Sequence, residues 1–319
     1  MPGWNGYLKK GWTAFFQRDM FIFVAGGTGF VGSHLMPELA RRGIGGRCLL
    51  RSMKKAHLCS GFDTVSGSLG DMPAGCLDGV DTVVHLSGII REEGAQTFQS
   101  VHVTGTDDLV DEALKAGVKR FFYQSSLGAS LQSASRYQKT KALAEQIVKD
   151  SGMSYAIFRP SLILGRLDGF SRQLISLINS SPAIAVPGSG EAKFQPLAVT
   201  DWVRCFLAVL EGSGPQNRIY EIGGPERFSF NELIGLYMKA MGKQKKLVHV
   251  PMGIVKAGLA LLEFARAAGL KKLPPVSRDQ LLLLETDNVT DVDSVKKQFG
   301  FEPARIGETL MDILPPAAA

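Results

Sequence analysis

The sequence predicts an α/β fold in which helices cover both faces of an open, doubly wound parallel sheet. From residue 20 to residue 165, short apolar segments alternate with amphipathic helical segments, and the first apolar segment leads into a glycine-rich turn. Hydrophobic residues make up 45% of the chain and charged residues 21%, which is typical of soluble globular proteins and excludes a disordered or collagen-like chain. A chain of 319 residues can bury a large core, or divide into a nucleotide-binding domain and a smaller partner.

The regular first part of the chain is the predicted nucleotide-binding domain, at residues 20–165. Strands are predicted at residues 21–25, 47–50, 81–86, 121–124 and 155–158. Helices are predicted at residues 33–42, 106–116 and 137–149. Right-handed crossovers place the carboxyl ends of such strands along one edge, where an open α/β sheet binds its ligand.

The remaining residues, 166–319, have a less regular pattern and are expected to form a smaller, mostly helical substrate or partner region. Part of this region, about 196–224, is expected to return to the sheet. Ser229 and Glu232 have the spacing of a capping box, which predicts the start of a helix. The apolar segment 252–270 is interpreted as core, with a helix that faces a membrane or a partner as the alternative.

Composition also bounds the expected partners and location. Residues 1–19 are an N-terminal extension rich in aromatic and basic residues, interpreted as a start upstream of Met20, with a membrane-surface segment as the alternative. The net charge of +6 is scattered, so nucleic acid is not an expected partner. The four cysteines lie far apart in the sequence without a CxxC pair, which predicts a reduced chain with no metal site. No apolar stretch is long enough to cross a bilayer, so a cytoplasmic protein, at most peripheral to a membrane, is expected.

A glycine-rich turn directly follows the first predicted strand and precedes the first predicted helix. Gly26 allows a tight turn, Gly29 lets the backbone approach a pyrophosphate, and Gly32 allows the helix to pack closely on the strand. The N terminus of the helix adds unpaired N–H groups and the positive end of a dipole. The sequence therefore predicts a Rossmann-type dinucleotide site. The same turn contributes three further expected contacts, Thr28, Phe30 and Val31.

A basic residue stands at the end of the second predicted strand. NAD sites usually have an acidic residue about twenty positions after the glycine turn, where it binds the ribose hydroxyls. Here the residue is Arg51, followed by Ser52, Lys54 and Lys55. A basic pocket can hold a 2′-phosphate, so NADP(H) is favoured over NAD(H), with a solvated basic loop as the alternative.

A Tyr-x-x-x-Lys pair lies on the helix predicted at residues 137–149. The i,i+4 spacing places Tyr137 and Lys141 on one face of that helix. A nearby ammonium stabilises a phenolate and lowers the pKa of the phenol toward the working range. Ser125 and Ser126 follow a predicted strand at the ligand edge, where a hydroxyl can polarise a carbonyl. These residues predict acid–base chemistry at a substrate oxygen during hydride transfer.

Taken together, these segments resemble the short-chain dehydrogenase/reductase superfamily, of the extended or atypical kind, over residues 20–314. The resemblance is strongest to the branch that contains the nucleotide-binding accessory subunit of respiratory complex I and its bacterial relatives. The matching segments are residues 24–32, 79–88, 117–126, 137–141, 158–161 and 273–281. The first five recur across the superfamily, and the last is more specific to the branch.

The resemblance implies roles for particular residues. The implied catalytic residues are Ser126, Tyr137 and Lys141. Lys141 would also bind the nicotinamide ribose. The implied lining comprises Leu86, Ser87 and Gly88 on the adenosine ribose side, and Pro160 near the nicotinamide.

Two positions depart from the pattern of the superfamily. Ser68, followed by Leu69, stands where an Asp commonly lies beside the adenine, and both residues are expected at the nucleotide site. His102 stands where an Asn commonly supports the proton relay.

Two kinds of function remain open from the sequence. The first is an NADP-dependent oxidoreductase or epimerase that acts on a small-molecule substrate, and the presence of all three catalytic residue types favours it. The alternative is a non-catalytic NADPH-binding subunit of a larger, membrane-peripheral or respiratory assembly, or a regulator that senses NADPH.

Overall fold

The computed structural model describes residues 20–212, 217–267 and 277–314, with the backbone alone for residues 260–267. The predicted extension 1–19 and the first part of the matching segment 273–281 lie outside the described residues. In chain order, the strands are β1 (Phe21–Ala25), β2 (Gly45–Leu50), β3 (Asp63–Ser66), β4 (Thr82–His85), β5 (Arg120–Gln124), β6 (Ser154–Pro160), β7 (Ile163–Leu164), β8 (Ile184–Pro187), β9 (Lys193–Phe194), β10 (Leu197–Ala198), β11 (Arg218–Ile222), β12 (Phe228–Ser229) and β13 (Leu247–Val250).

The α-helices are α1 (Phe30–Arg41), α2 (Gly105–Lys115), α3 (Arg136–Asp150), α4 (Gly169–Ser180), α5 (Val199–Glu211), α6 (Phe230–Ala240), α7 (Met252–Ala267), α8 (Arg278–Leu284), α9 (Ser294–Phe299) and α10 (Ile306–Ile313). A 3-10 helix covers Met53–Cys59, and a π-helical segment, Gln99–Thr104, leads directly into α2.

Seven strands form the central sheet in the order β3-β2-β1-β4-β5-β6-β11, and all of them run parallel. The strand order reverses between β1 and β4, so the crevice at the carboxyl ends of these two strands is the place where such a sheet binds a ligand. The predicted α/β class with a doubly wound parallel sheet is confirmed.

The apolar strands form this sheet because both of its faces are covered. Ile22 and Val24 of β1 pack in a core under α1 and α5, whereas Phe23 and Ala25 pack in a second core under α2 and α3. Successive side chains of a strand point to opposite faces, so a continuous apolar run suits a strand buried on both sides.

Several element boundaries differ from the sequence-based prediction. Helix α1 begins at Phe30 rather than at residue 33, so the glycine turn leads into the helix without a linker. Strand β6 continues through Pro160, which the strand tolerates at its last residue. Strand β3 was not predicted, because its four residues, Asp63–Ser66, are polar at both ends and none is fully buried.

The second half of the chain is mostly helical around a third apolar core, with three small two-stranded sheets. Helix α5 packs against α1, and β11 joins the edge of the central sheet beside β6. The capping box at the start of α6 is present: Glu232 N–H donates to Ser229 Oγ at 3.1 Å, and Ser229 N–H donates to Glu232 Oε2 at 2.6 Å.

The first part of α7 is more exposed than the core interpretation of segment 252–270 expected. Leu259 is buried, but the Ile254 side chain is 63% exposed. Within residues 252–259, only one side of the helix faces the rest of the molecule, and Lys256 pairs with Glu285 at 3.7 Å. Across the described residues, no helix is long and apolar enough to cross a membrane.

Two adjacent glycines of β2 offer a test of the register between β1 and β2. A Cβ atom built on Gly46 would lie 1.9 Å from the carbonyl oxygen of Ile22, whereas one on Gly45 meets nothing within 4 Å. We expect Gly46→Ala to lower the free energy of unfolding by about 3 kcal/mol, because the backbone of β1 cannot move away without breaking the sheet. Urea denaturation measures the effect, and Gly45→Ala is the matched control, with a change below about 0.5 kcal/mol. Equal losses in the two variants would contradict the register.

Candidate functional site

The candidate site lies at the carboxyl edge of the central sheet, where six loops follow one another. From one side to the other, the loop residues are Ser68, Arg51, Gly26, Leu86, Ser126 and Pro160. Neighbouring strands are about 4.8 Å apart, so these loops span roughly 24 Å. Residues that are spread over 134 positions of the sequence, from Gly26 to Pro160, therefore form one continuous edge.

The glycine-rich turn is held by close backbone contacts. Gly26 has φ +93°, and its carbonyl accepts a hydrogen bond from Gly29 N–H at 3.0 Å. A Cβ on Gly26 would lie 2.6 Å from Ser87 N, and one on Gly32 would lie 2.4 Å from the Gly26 carbonyl oxygen. A side chain at either position would push the turn away from the β4 loop or from α1.

The N terminus of α1 is suited to bind an anion. Its N-cap is Gly29, which has no side chain to cap the helix, and the first turn contains no acidic residue. The first backbone N–H groups of a helix have no partner within the helix, so those of Phe30, Val31 and Gly32 remain available to a ligand. The side chain of Val31 is buried in the core under α1, which leaves its backbone as the ligand-binding part. Thr28 lies in the turn itself, half-buried. These features fit a diphosphate.

The loops after β2 and β3 form one end of the site. Arg51 and Ser52 are exposed, and the described residues offer Arg51 no ion pair. Gly67 N–H donates to the Leu50 carbonyl at 2.9 Å, which brings the β3 loop beside Arg51. Ser68 closes a tight turn of this loop, and the Leu69 side chain packs against Gly105 at the start of α2. Binding of a phosphate by Arg51 would therefore break no ion pair with any of the described residues.

The loop after β4 connects this end of the site to the opposite one. Leu86 N–H donates to the Ala25 carbonyl at 2.8 Å, and Ser87 lies against Gly26. A Cβ on Gly88 would lie 3.7 Å from Lys141 Nζ and 3.6 Å from His102 Nε2. The three residues of this loop therefore lie between the glycine turn and the Lys141 side chain.

The side chain of Lys141, on α3, is buried against the end of β5. Its Nζ donates to the Gln124 carbonyl at 2.6 Å and lies 4.5 Å from the centre of the Tyr123 ring. Burial lowers the pKa of Lys141 to about 7, although the nearby Glu145 carboxylate opposes the shift. Near neutral pH this lysine can therefore hold or release its proton.

The pKa of Tyr137 differs from the sequence-based expectation. Burial raises this pKa above its usual value, and the nearby Ser126 hydroxyl opposes the shift only in part. Burial of the phenol therefore outweighs the lowering that the Tyr-x-x-x-Lys spacing predicted. In this structure Tyr137 is a protonated phenol.

At and just after the end of β5, three buried polar atoms have no hydrogen-bond partner of ordinary geometry among the described residues. They are Gln124 Oε1, Ser125 Oγ and Ser126 Oγ. A buried hydroxyl without a partner costs about 1–3 kcal/mol, so such groups are rare outside functional sites. Their position at the end of β5 fits the binding of a polar group from a ligand or substrate.

His102 is held in a single tautomer. Its Nε2 accepts a hydrogen bond from Ile89 N–H at 3.1 Å, so Nδ1 carries the proton and donates to Thr140 Oγ1 at 3.0 Å. Burial and the Lys141 charge lower the pKa of His102 to about 2. The ring packs edge-on against Tyr137, with 5.5 Å between ring centres. His102 therefore ties the loop after β4 to α3 and remains neutral at physiological pH.

Sequence reasoning missed a contact from the second half of the chain. Asp279 Oδ1 accepts hydrogen bonds from Ser135 Oγ at 3.0 Å and from Tyr137 N–H at 3.2 Å. Its local signal, the Ser277 capping box, predicts only the start of α8. The π-helical segment Gln99–Thr104, which contains His102, was also missed.

Groups suited to hold a metal ion are absent from the described part of the chain, since no three His, Cys, Asp or Glu side chains cluster there.

Pro160 is buried at the end of β6, and its carbonyl accepts a hydrogen bond from Leu127 N–H at 2.9 Å. It thus lies beside the β5 loop that carries Ser126.

A family model described as the NAD dependent epimerase/dehydratase family matches residues 22–223. The chain is 27% identical over 289 residues to subunit 9 of the mitochondrial NADH dehydrogenase (ubiquinone) 1 alpha subcomplex of Arabidopsis thaliana, covering 85% of this chain and 70% of that protein. It is 26% identical over 321 residues to a 3 beta-hydroxysteroid dehydrogenase/Delta 5→4-isomerase of Mycobacterium tuberculosis, covering 88% and 86%.

Among solved structures, an NADPH-dependent quinone oxidoreductase of Escherichia coli in complex with NADPH has the same fold. Its TM-score is 0.68 at 19% identity, and the alignment covers 91% of this chain and 98% of that one.

The pKa of Lys141 makes stability depend on pH in a specific direction. Above about pH 7 the folded protein has released this proton, whereas an unfolded chain holds it up to about pH 10.4. Because the unfolded state then binds more protons, the free energy of unfolding should rise by about 1.4 kcal/mol per pH unit between these values.

We expect this slope to disappear in Lys141→Met when denaturant unfolding is measured at a series of pH values, with wild type and variant compared at each one. Lys139→Met, at an exposed position of the same helix, is the control and should retain the slope. A wild-type slope identical to that of Lys141→Met would contradict the low pKa of Lys141.

Proposed function

Since the chain belongs to the NAD-dependent epimerase/dehydratase family, we propose that it is an NADP-dependent oxidoreductase or epimerase that moves a proton through Tyr137. The observation that carries the proposal is the meeting of three groups at one edge of the sheet. Ser126 follows β5, Tyr137 packs beside it at the start of α3, and Lys141 Nζ binds the backbone at the end of the same strand. The glycine turn lies next to them, across the loop after β4.

Different residues of this chain bind different parts of a dinucleotide. The backbone N–H groups at the start of α1 bind the diphosphate, Arg51 and Ser52 bind the 2′-phosphate, and Leu86 to Gly88 line the path between them. Lys141 binds the nicotinamide ribose, and Pro160 lies near the nicotinamide. Ser68 and Leu69 complete the adenine end. When bound, the nicotinamide supplies or accepts a hydride.

The proton chemistry belongs to Tyr137 and Ser126. The Ser126 hydroxyl, which has no hydrogen-bond partner of ordinary geometry among the described residues, donates a hydrogen bond to a substrate oxygen and polarises its carbonyl. Tyr137 transfers its phenolic proton to the same oxygen. Burial raises the pKa of Tyr137, so the phenol is protonated, which is the form that donates a proton in the reduction of a carbonyl. An epimerase would use the same phenol as base and then as acid.

The named activities of two similar proteins support a carbonyl or hydroxyl substrate. One is a 3 beta-hydroxysteroid dehydrogenase/Delta 5→4-isomerase, and the other is an NADPH-dependent quinone oxidoreductase. We therefore propose an apolar cyclic ketone or quinone as the class of substrate to try first, with sugar nucleotides as the next class.

The role of Tyr137 can be tested with Tyr137→Phe. We expect turnover to fall by about 10²–10⁴-fold, since the variant lacks the transferable proton, while the Kd for NADPH stays within a few-fold of wild type. Consumption of NADPH is followed by absorbance with a panel of steroid ketones, quinones and sugar nucleotides, and the Kd by calorimetry. Tyr220→Phe, a buried tyrosine on β11 at the far edge of the sheet, is the matched control and should keep its activity. Full activity of Tyr137→Phe on any accepted substrate would refute the assignment.

A second function is supported by the similarity to a respiratory-complex subunit. In this alternative the chain holds NADPH to stabilise an assembly and transfers no hydride, or it senses NADPH as a regulator. The same measurements separate the two proposals: tight NADPH binding by a wild-type protein that oxidises no NADPH with the whole panel favours the alternative. Co-purification with respiratory subunits from native membranes would then locate the assembly.

The nucleotide preference can be tested at Arg51. We expect Arg51→Asp to raise the Kd for NADPH by about tenfold or more, because a carboxylate repels the 2′-phosphate, and to change the Kd for NADH much less. Calorimetric titration with both nucleotides measures the ratio. Lys239→Asp on α6 makes the same change in net charge away from this edge and should leave both constants unaltered. An unchanged ratio in Arg51→Asp would remove Arg51 from the nucleotide site.

A further inference from the structure

Two cysteines that are separated in the sequence meet beneath the glycine-rich turn. Cys48 lies on β2, and Cys59 ends the 3-10 helix Met53–Cys59. Their sulfur atoms are 2.8 Å apart, and both side chains are fully buried. A disulfide bond is about 2.05 Å long, so a small movement would join them. We propose that Cys48 and Cys59 form a reversible disulfide whose formation changes the preference of the protein between NADPH and NADH.

The position of the pair connects it to the nucleotide site. A bond between Cys48 and Cys59 closes a loop that includes Arg51 and Ser52, to which the proposed function assigns the 2′-phosphate. The inferred change in preference thus rests on that proposed function, whereas disulfide formation itself does not. The loop also carries Lys54 and Lys55, both exposed.

The two cysteines differ in how freely they can move. A Cβ on Gly27 would lie 2.6 Å from Cys48 Sγ, so this sulfur is packed directly against the underside of the glycine turn. Cys48 is also fixed by the pairing of β2 with both β1 and β3. Cys59, in contrast, ends a short helix whose other residues are exposed or half-buried. Bond formation therefore moves the helix toward the strand and shifts Arg51 and Ser52, which connect the two.

The pKa values of the two thiols shift in opposite directions, which favours oxidation in two steps. The contact with Cys48 lowers the pKa of the Cys59 thiol, and the contact with Cys59 raises that of Cys48, so the pair yields one thiolate more readily than two. Local opening of the 3-10 helix exposes Cys59 to a reagent, because this helix has few buried contacts. Cys59 is thus the attacking sulfur.

The oxidant is a low-molecular-weight disulfide. The Cys59 thiolate attacks one of its sulfurs, forms a mixed disulfide and releases one thiolate. Cys48 then gives up its proton and attacks the Cys59 sulfur, which forms the Cys48–Cys59 bond and releases the second thiolate. Two protein thiols lose two electrons, the external disulfide gains them, and the two protons pass to the released thiolates.

Linkage between the two events makes the effect reciprocal. If oxidation weakens NADPH binding by a given factor, bound NADPH must make the dithiol harder to oxidise by the same factor. NADH lacks the 2′-phosphate and does not engage Arg51 in this way, so it should have little effect in either direction.

The experiment uses the full-length protein equilibrated with oxidised and reduced glutathione at a series of ratios. Alkylation and mass spectrometry measure the disulfide, and calorimetry measures both nucleotides. We expect a disulfide confined to Cys48 and Cys59, with Cys76 and Cys205 still alkylated after unfolding. We expect the Kd for NADPH to rise roughly tenfold on oxidation, a size typical of coupling between sites, while that for NADH changes by less than about twofold. Saturating NADPH should shift the half-oxidation ratio by the same factor.

The control variants are Cys59→Ser, which removes the pair, and Cys76→Ser, which changes another buried cysteine with no sulfur contact in the described residues. Cys59→Ser should bind NADPH like the reduced wild type and lose all response to glutathione, whereas Cys76→Ser should respond fully. If Cys59→Ser does not fold, the mapping of the disulfide in the wild type decides the question.

Failure of a disulfide to form between these residues would overturn the inference. A disulfide that leaves the ratio of the two dissociation constants unchanged would overturn the inferred coupling alone. Absence of nucleotide binding by the reduced protein would instead overturn the proposed function, and the coupling with it.

Discussion

The close approach between the glycine-rich turn and the loop after β4 is the contact on which the site depends. At this point the order of the strands reverses, and Gly26 lies so near to Ser87 that no side chain fits between them. The contact aims the N terminus of α1 into the crevice. It also holds the loop that ends at Gly88, which lies beside Lys141. The glycine turn and the Lys141 end of the candidate site therefore share one short loop, and a displacement of the turn would reach both.

Behind this loop, the described residues include buried polar atoms that lack a hydrogen-bond partner of ordinary geometry. Within the described part of the chain, His85 Nδ1 and the Tyr123 hydroxyl have no hydrogen-bond partner of ordinary geometry, and burial lowers the pKa of His85 to about 3. Each unpaired group costs about 1–3 kcal/mol, which a purely structural core would avoid. Lys141 lies among these neutral groups and is a cation when protonated. The burial that makes unpaired polar groups unfavourable also lowers the pKa of Lys141. The burial that brings the pKa of Lys141 near 7 thus also lowers the stability of the protein.

Local patterns in the sequence were sufficient to predict the fold class and the residues at the sheet edge. Strand periodicity, the glycine spacing and the Tyr-x-x-x-Lys spacing are short-range signals, and parallel topology then determines which loops become neighbours. Contacts between distant segments were not predictable in this way. Asp279 meets Tyr137 across 142 positions, and the contact between Cys48 and Cys59 depends on a 3-10 helix that has no periodic signal. Burial of Tyr137, which raises its pKa where the sequence led us to expect a lowered one, is likewise a property of the assembled layers.

Contacts from the second half of the chain fix the start of α3 and two neighbouring loops of the candidate site. Asp279 binds the backbone N–H of Tyr137, and Asn288 Nδ2 donates to the Leu127 carbonyl at 3.2 Å, in the loop that carries Ser126. Ser161 Oγ, just after β6, donates to the Asn288 carbonyl at 2.7 Å. One segment, residues 279–288, therefore holds the start of α3 and the loops after β5 and β6. A substrate that moves this segment would also move the backbone of Tyr137 and Ser126. Under the proposed function, this arrangement would couple substrate recognition to proton transfer, although the residues responsible belong to different halves of the sequence.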